Sequence, residues 1–165
     1  MRRLTINGKE YTFKFSIEAS LYNECTEAMM NMFLSLGEAQ GEAENAVKLA
    51  GTDEENAREL VLRSFKKTFT SVANIPQTAL TLFYAGLLEE HRDSIRSKDD
   101  AKELLKHFIE EIEDPEDKNY YYITNLMLEC MGEDHFFELT GIAKLLMMNG
   151  DKEKKSERRR KTGDN

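Results

Sequence analysis

The sequence predicts a mainly α protein: one compact helical domain of about six helices over residues 1–150, an N-terminal β-hairpin at about residues 3–15, and a charged tail at 151–165. Three observations carry this expectation. Apolar residues alternate on either side of an Asn-Gly pair at the start of the chain. From Ser16 onward their period changes from two to about 3.6. Beyond Gly150 no apolar residue occurs, so that segment has nothing to contribute to a core and is expected to be disordered.

The hairpin comes first. Leu4-Thr5-Ile6 and Lys9-Glu10-Tyr11-Thr12-Phe13 flank Asn7-Gly8, the pair that best tolerates the two positive φ angles of a type I′ turn. A two-residue turn sets Ile6 against Lys9 and Leu4 against Tyr11. Leu4, Ile6, Tyr11, Phe13 and Phe15 then share one face, with Thr5, Glu10, Thr12 and Lys14 on the other. An isolated hairpin is marginal in water, so its apolar face is expected to cover the helices or to pair with another copy.

Ile17, Leu21, Met29, Met30, Phe33, Leu34 and Leu36 predict one long or broken helix ending at Gly37. Residues 37–51 are small and polar and read as a loop, with a short helix around Ala46 to Ala50. Thr52-Asp53-Glu54-Glu55 has the form of a capping box opening a helix of about 20 residues through Leu60, Val61, Phe65, Phe69 and Val72. Pro76 suits the first turn of a new helix. That helix, from Ala79 to Leu88, is apolar on nearly every side and is expected at the centre of the fold. Gly86 interrupts it at a cost of about 1 kcal/mol relative to alanine, which points to a close helix crossing.

Ser97-Lys98-Asp99-Asp100 predicts another capped start, before Ala101, Leu104, Leu105, Phe108, Ile109 and Ile112. After Pro115 a helix carrying Tyr120 to Tyr122, Ile123, Leu126, Met127, Cys130 and Met131 is expected to stop at Gly132. A last helix is expected from about Asp134 to Gly150.

At 165 residues the chain can bury roughly two-thirds of its unfolded surface, enough for a core without metal or disulfide. The net charge of −8 disfavours nucleic-acid binding by the body of the protein. The tail differs, with seven basic against four acidic side chains, which leaves −11 on residues 1–150. It has no aromatic residue for base stacking, so nucleic acid remains an unfavoured partner. Two cysteines, Cys25 and Cys130, form no disulfide framework. No signal peptide or membrane span is read, and the protein is expected to stay in the reducing cytoplasm of the cell that makes it.

Catalytic and metal-binding motifs are not found. His91, His107 and His135 have no metal-ligand spacing. The paired acids Glu54-Glu55, Glu89-Glu90, Glu110-Glu111 and Glu133-Asp134 read as solvated or helix-start residues. No cofactor and no enzymatic activity are therefore expected. Methionine is more informative: Met29, Met30 and Met32, Met127 and Met131, and Met147 and Met148 lie on or near apolar stripes. Flexible thioethers fill irregular cores and also suit surfaces that accept variable apolar partners. On the second reading the candidate partner-binding residues are Met29, Met30, Phe33, Met127, Met131, Phe136, Phe137, Leu145 and Met148.

Together, Leu4-Thr5-Ile6-Asn7-Gly8-Lys9-Glu10-Tyr11-Thr12-Phe13-Lys14-Phe15 and Ile75-Pro76 with Leu82-Phe83-Tyr84-Ala85-Gly86-Leu87-Leu88 resemble the tail assembly chaperones of long-tailed phages and prophages, especially those of Gram-positive hosts. The resemblance covers residues 1–90. It implies a non-enzymatic protein that coats the tape measure protein, keeps it soluble until the tail tube polymerises, and is absent from the mature virion. It further implies self-association, and a longer translational frameshift product that recruits tail tube protein. Lys154-Lys155 is the candidate frameshift position. The alternatives are a structural tail component retained in the particle, such as a terminator or connector adaptor, and a small regulator that binds nucleic acid through its basic tail.

Overall fold

The computed structural model describes residues 1–34, 54–142 and 144, with 54–72 described as helical backbone only. Strands β1 (Arg2–Ile6) and β2 (Lys9–Phe13) form the expected hairpin. Leu4 pairs with Tyr11 and Ile6 with Lys9, and the turn has φ of 52° at Asn7 and 71° at Gly8. Ile6, Tyr11, Phe13 and Phe15 are buried, while Thr5 and Glu10 are exposed, so the register places the apolar face against the helices.

Helix α1 (Ile17–Leu21) is a single turn, and a second helix, α2, covers 23–34. Of the two forms expected, the broken helix is found, interrupted at Tyr22, whose φ of −82° and ψ of 93° are extended. The Tyr22 ring sits edge-on to Tyr84, 5.5 Å between centroids, with the Lys98 ammonium 5.9 Å from the Tyr22 ring centroid. The break changes the helical phase. Cys25 and Met29 of α2 are fully buried, but in α1 only Ala19 is, and Ile17 and Leu21 face outward.

Helix α3 (Glu54–His91) corrects an expectation, because Pro76 lies inside one helix of 38 residues and opens none. An interior proline removes one backbone hydrogen bond and costs about 3 kcal/mol. The helix carries on because the turns after Pro76 are the central wall of the fold. Ala79, Leu82, Phe83, Ala85 and Leu87 are buried there, and α3 packs against β2, α1 and both later long helices. Thr52, and with it the expected capping box, lies outside the described residues, as do the loop at 37–51 and the tail at 151–165.

Helix α4 (Lys98–Glu111) begins with the expected reciprocal box: the Asp100 N–H donates to Ser97 Oγ at 3.2 Å and the Ser97 N–H donates to Asp100 Oδ2 at 3.0 Å. A short 3-10 turn (Pro115–Asp117) follows, and Asn119 Oδ1 then accepts the Tyr122 N–H at 2.9 Å to cap α5 (Tyr120–Glu133). The last expected helix is interrupted, although Ile142 and Lys144 are again helical. Helix α6 (Phe136–Leu139) has one turn, entered through left-handed His135 and closed at Gly141, whose φ is +74°. A positive φ stops an α-helix of L-residues, so the apolar stripe from Asp134 to Gly150 is not one continuous helix.

Candidate interaction surface

Each predicted partner-binding residue can be placed by its burial. Met29, Met127, Met131 and Phe136 are 0% exposed and belong to the core. A fully buried side chain cannot touch a partner without opening the fold, so these four are withdrawn as contact residues. Met30, Phe33 and Phe137 are partly buried and pack on the core's edge, where Phe33 and Phe137 stack edge-on with centroids 6.3 Å apart. Leu145 and Met148 lie outside the described residues.

The exposed apolar residues are mostly others. Ile17 and Leu21 are 62% and 72% exposed, one helical turn apart on α1, and Leu139 on α6 is 52% exposed. Between α1, α2 and α6 runs a groove of about 490 Å³ lined by Ser20, Thr26, Glu27, Met30, Asn31, Leu139, Thr140 and Ile142. Ser20 of α1 lines this groove, whereas Ile17 borders a separate depression with Leu88, Glu89 and Arg92. A second groove of about 430 Å³ lies among α3, α4 and the start of α5. Pro76, Leu80, Leu105, Ile109 and Tyr120 form its apolar part, and Lys102, Glu103, Lys106 and Glu110 its charged rim. Tyr121, 65% exposed, is next in sequence to Tyr120. Sequence periodicity missed Ile17 and Leu21 because an unbroken helix would have turned them inward with Cys25 and Met29. Only the break at Tyr22 rotates them out.

The hairpin is the other organised feature, and the helices hold its polar groups as well as its apolar face. Lys14 N–H donates to the Gly86 carbonyl at 2.8 Å, Phe15 N–H to Asp134 Oδ2 at 2.8 Å, and Thr12 N–H to His91 Nε2 at 2.8 Å. At the turn, Asn7 N–H lies 2.9 and 3.1 Å from the two carboxylate oxygens of Glu111. Arg2 spans Glu129 and Glu133 of α5, both at 2.9 Å, and Lys14 pairs with Glu89. The His91 bond satisfies the Thr12 N–H on the unpaired edge of β2, and the bonds from Lys14 and Phe15 do the same for the chain just after it, so this stretch is not an open template.

Gly86 makes the approach feasible. The close crossing expected there is with the hairpin and its exit, not with another helix. A Cβ at Gly86 would sit 2.9 Å from Phe13 Cδ1 and 3.2 Å from Phe15 Cε2 and Cζ. Phe13 in turn stacks tilted on Phe83 at 4.8 Å, and Phe15 meets Phe136 edge-on at 5.7 Å.

Burial pushes the Cys25 thiol up to about 12 and the Cys130 thiol to about 11, so neither is a thiolate nucleophile at neutral pH. Among the described residues, no three or more His, Cys, Asp or Glu side chains are grouped to hold a metal ion, and no helix is long and apolar enough to cross a membrane. The described surface therefore offers apolar grooves and a clamped hairpin. No family model, curated protein or solved structure matches the chain.

Proposed function

We propose that this chain is a tail assembly chaperone of a long-tailed phage or prophage, which binds and solubilises the tape measure protein during tail morphogenesis and is released before the virion is complete. The observation that supports this reading is the meeting of the two sequence elements that carry the resemblance. Phe13 and Phe15, in and just after the Ile6-Asn7-Gly8-Lys9 hairpin, close directly on Gly86 of the Tyr84-Ala85-Gly86-Leu87 turn, although more than 70 residues separate them. The two elements thus form one structural unit.

The action is non-covalent masking of apolar helical surface. Met30 and Leu139 in the α1/α2/α6 groove, together with the exposed Ile17 and Leu21 of α1, offer small apolar areas for an amphipathic segment of the client. A site of this size gives weak binding per copy, and many copies along a long client give tight but displaceable coverage. The protein acts in the host cytoplasm, self-associates along the client, and recruits tail tube protein through a longer frameshifted form.

The test is co-expression with the long, helix-rich tape measure protein of the same tail gene cluster. The expected result is a soluble client that co-purifies with this chain, and finished particles that lack it. An insoluble client together with this chain in purified virions would move the assignment to a structural tail component.

A further inference from the structure

We infer that His91 is a proton-sensitive latch on the hairpin: its neutral imidazole accepts the Thr12 N–H, and protonation converts that acceptor into a donor and releases the inner edge of β2. The geometry fixes the roles. A backbone N–H can only donate, so at 2.8 Å the Nε2 facing Thr12 must carry a lone pair, and the ring proton must sit on Nδ1. The ring is also packed on Tyr11 of the same strand, 5.2 Å between centroids, so latch and strand move together.

The surroundings favour the neutral form. Partial burial disfavours the imidazolium most, and the Lys9 ammonium, held over Tyr11 at 5.1 Å, adds to this; Glu90 opposes both. The other charged groups nearby are already engaged: Glu89 with Lys14, Arg92 with Glu18 of α1 at 3.5 Å, and Glu111 of α4 with the Asn7 N–H. The His91 pKa therefore lies below its ordinary 6.5 in the latched state. A histidine with a lowered folded pKa contributes stability that is complete above 6.5 and is lost as the pH falls through the latched value. Release would free the Thr12 N–H and loosen the Tyr11 ring that packs on His91, while the Lys14 N–H to Gly86 carbonyl bond still holds the strand's exit.

The test is residue-resolved NMR on the full chain. At pH 7.5 the Nε2 nitrogen should show the shift of an unprotonated, accepting ring nitrogen, and the Thr12 amide should follow the His91 titration with the same midpoint. Between pH 7.5 and 5.0 the Thr12 exchange protection factor should fall roughly tenfold, the factor that loss of one backbone hydrogen bond carries, while amides in the middle of α5 keep theirs. In His91→Gln, Thr12 protection should not change over this range. Lys9→Gln, at an exposed position, should raise the midpoint. A flat Thr12 profile in the wild type, an unchanged fall in His91→Gln, or a protonated Nε2 at pH 7.5 would overturn the latch.

Discussion

Replacing Gly86 by alanine sets two effects of known size against each other. In an open helix the substitution stabilises by about 1 kcal/mol, because alanine has less backbone freedom to lose on folding. Here the new methyl would lie 2.9 Å from Phe13 Cδ1 and 3.2 Å from two atoms of Phe15. Neither ring can swing away. Phe13 is fully buried against Phe83, Phe15 against Phe136, and the Lys14 N–H to Gly86 carbonyl bond holds the backbones together. Forcing an extra methyl into such a contact costs typically about 1–3 kcal/mol, and with two rings blocked the upper part of that range applies. The expected net is a loss of about 1–2 kcal/mol once the helix gain is subtracted. Urea denaturation followed by circular dichroism measures it, and the thermal midpoint should drop by roughly 2–8 °C. A double variant, Gly86→Ala with Phe13→Leu, should be less destabilised than the two single effects added together, because the smaller side chain leaves room for the methyl. If Gly86→Ala is as stable as the wild type or more stable, the strand is not clamped on this helix and the packing argument fails.

Ser97→Ala removes half of a reciprocal capping box and should cost about 1 kcal/mol in the same assay. Met127→Ala, fully buried, should cost about 2–5 kcal/mol. Leu21→Ala, 72% exposed, should stay within about 0.5 kcal/mol of wild type while weakening client capture in the co-expression assay. Cys25 and Cys130 should resist a thiol reagent at pH 8 in the native protein and react fully in denaturant, since both thiols are buried and titrate well above that pH.

Local signals in the sequence were reliable wherever a few adjacent residues decide the backbone. Asn7-Gly8 sets the turn and therefore the register, and Ser97 with Asp100 sets the start of α4. Both act over three or four residues, so no distant contact is needed to read them. Pro76 shows the limit of local reasoning. Its missing N–H favours a helix start, and the penalty for placing it inside a helix is overruled by burial of the α3 wall, which depends on elements far away in the chain, the β2 strand among them. The methionine clusters fail for a related reason. Periodicity reports that Met29, Met127 and Met131 lie on apolar stripes, but whether a stripe meets another helix or solvent is a tertiary property.

The helical class, the hairpin and its paired residues, the α4 cap and a strongly acidic body are all legible in the amino-acid order. These are set by hydrophobic period, turn chemistry and charge, which reside in short stretches of chain. Tertiary structure alone decided that Gly86 receives Phe13 and Phe15, that Ile17 and Leu21 face outward beyond the break at Tyr22, and that the His91 ring accepts the Thr12 N–H. Each of these joins residues far apart in the chain, or depends on the phase of a helix relative to its neighbours. Such relations exist only once the hairpin has closed on α3.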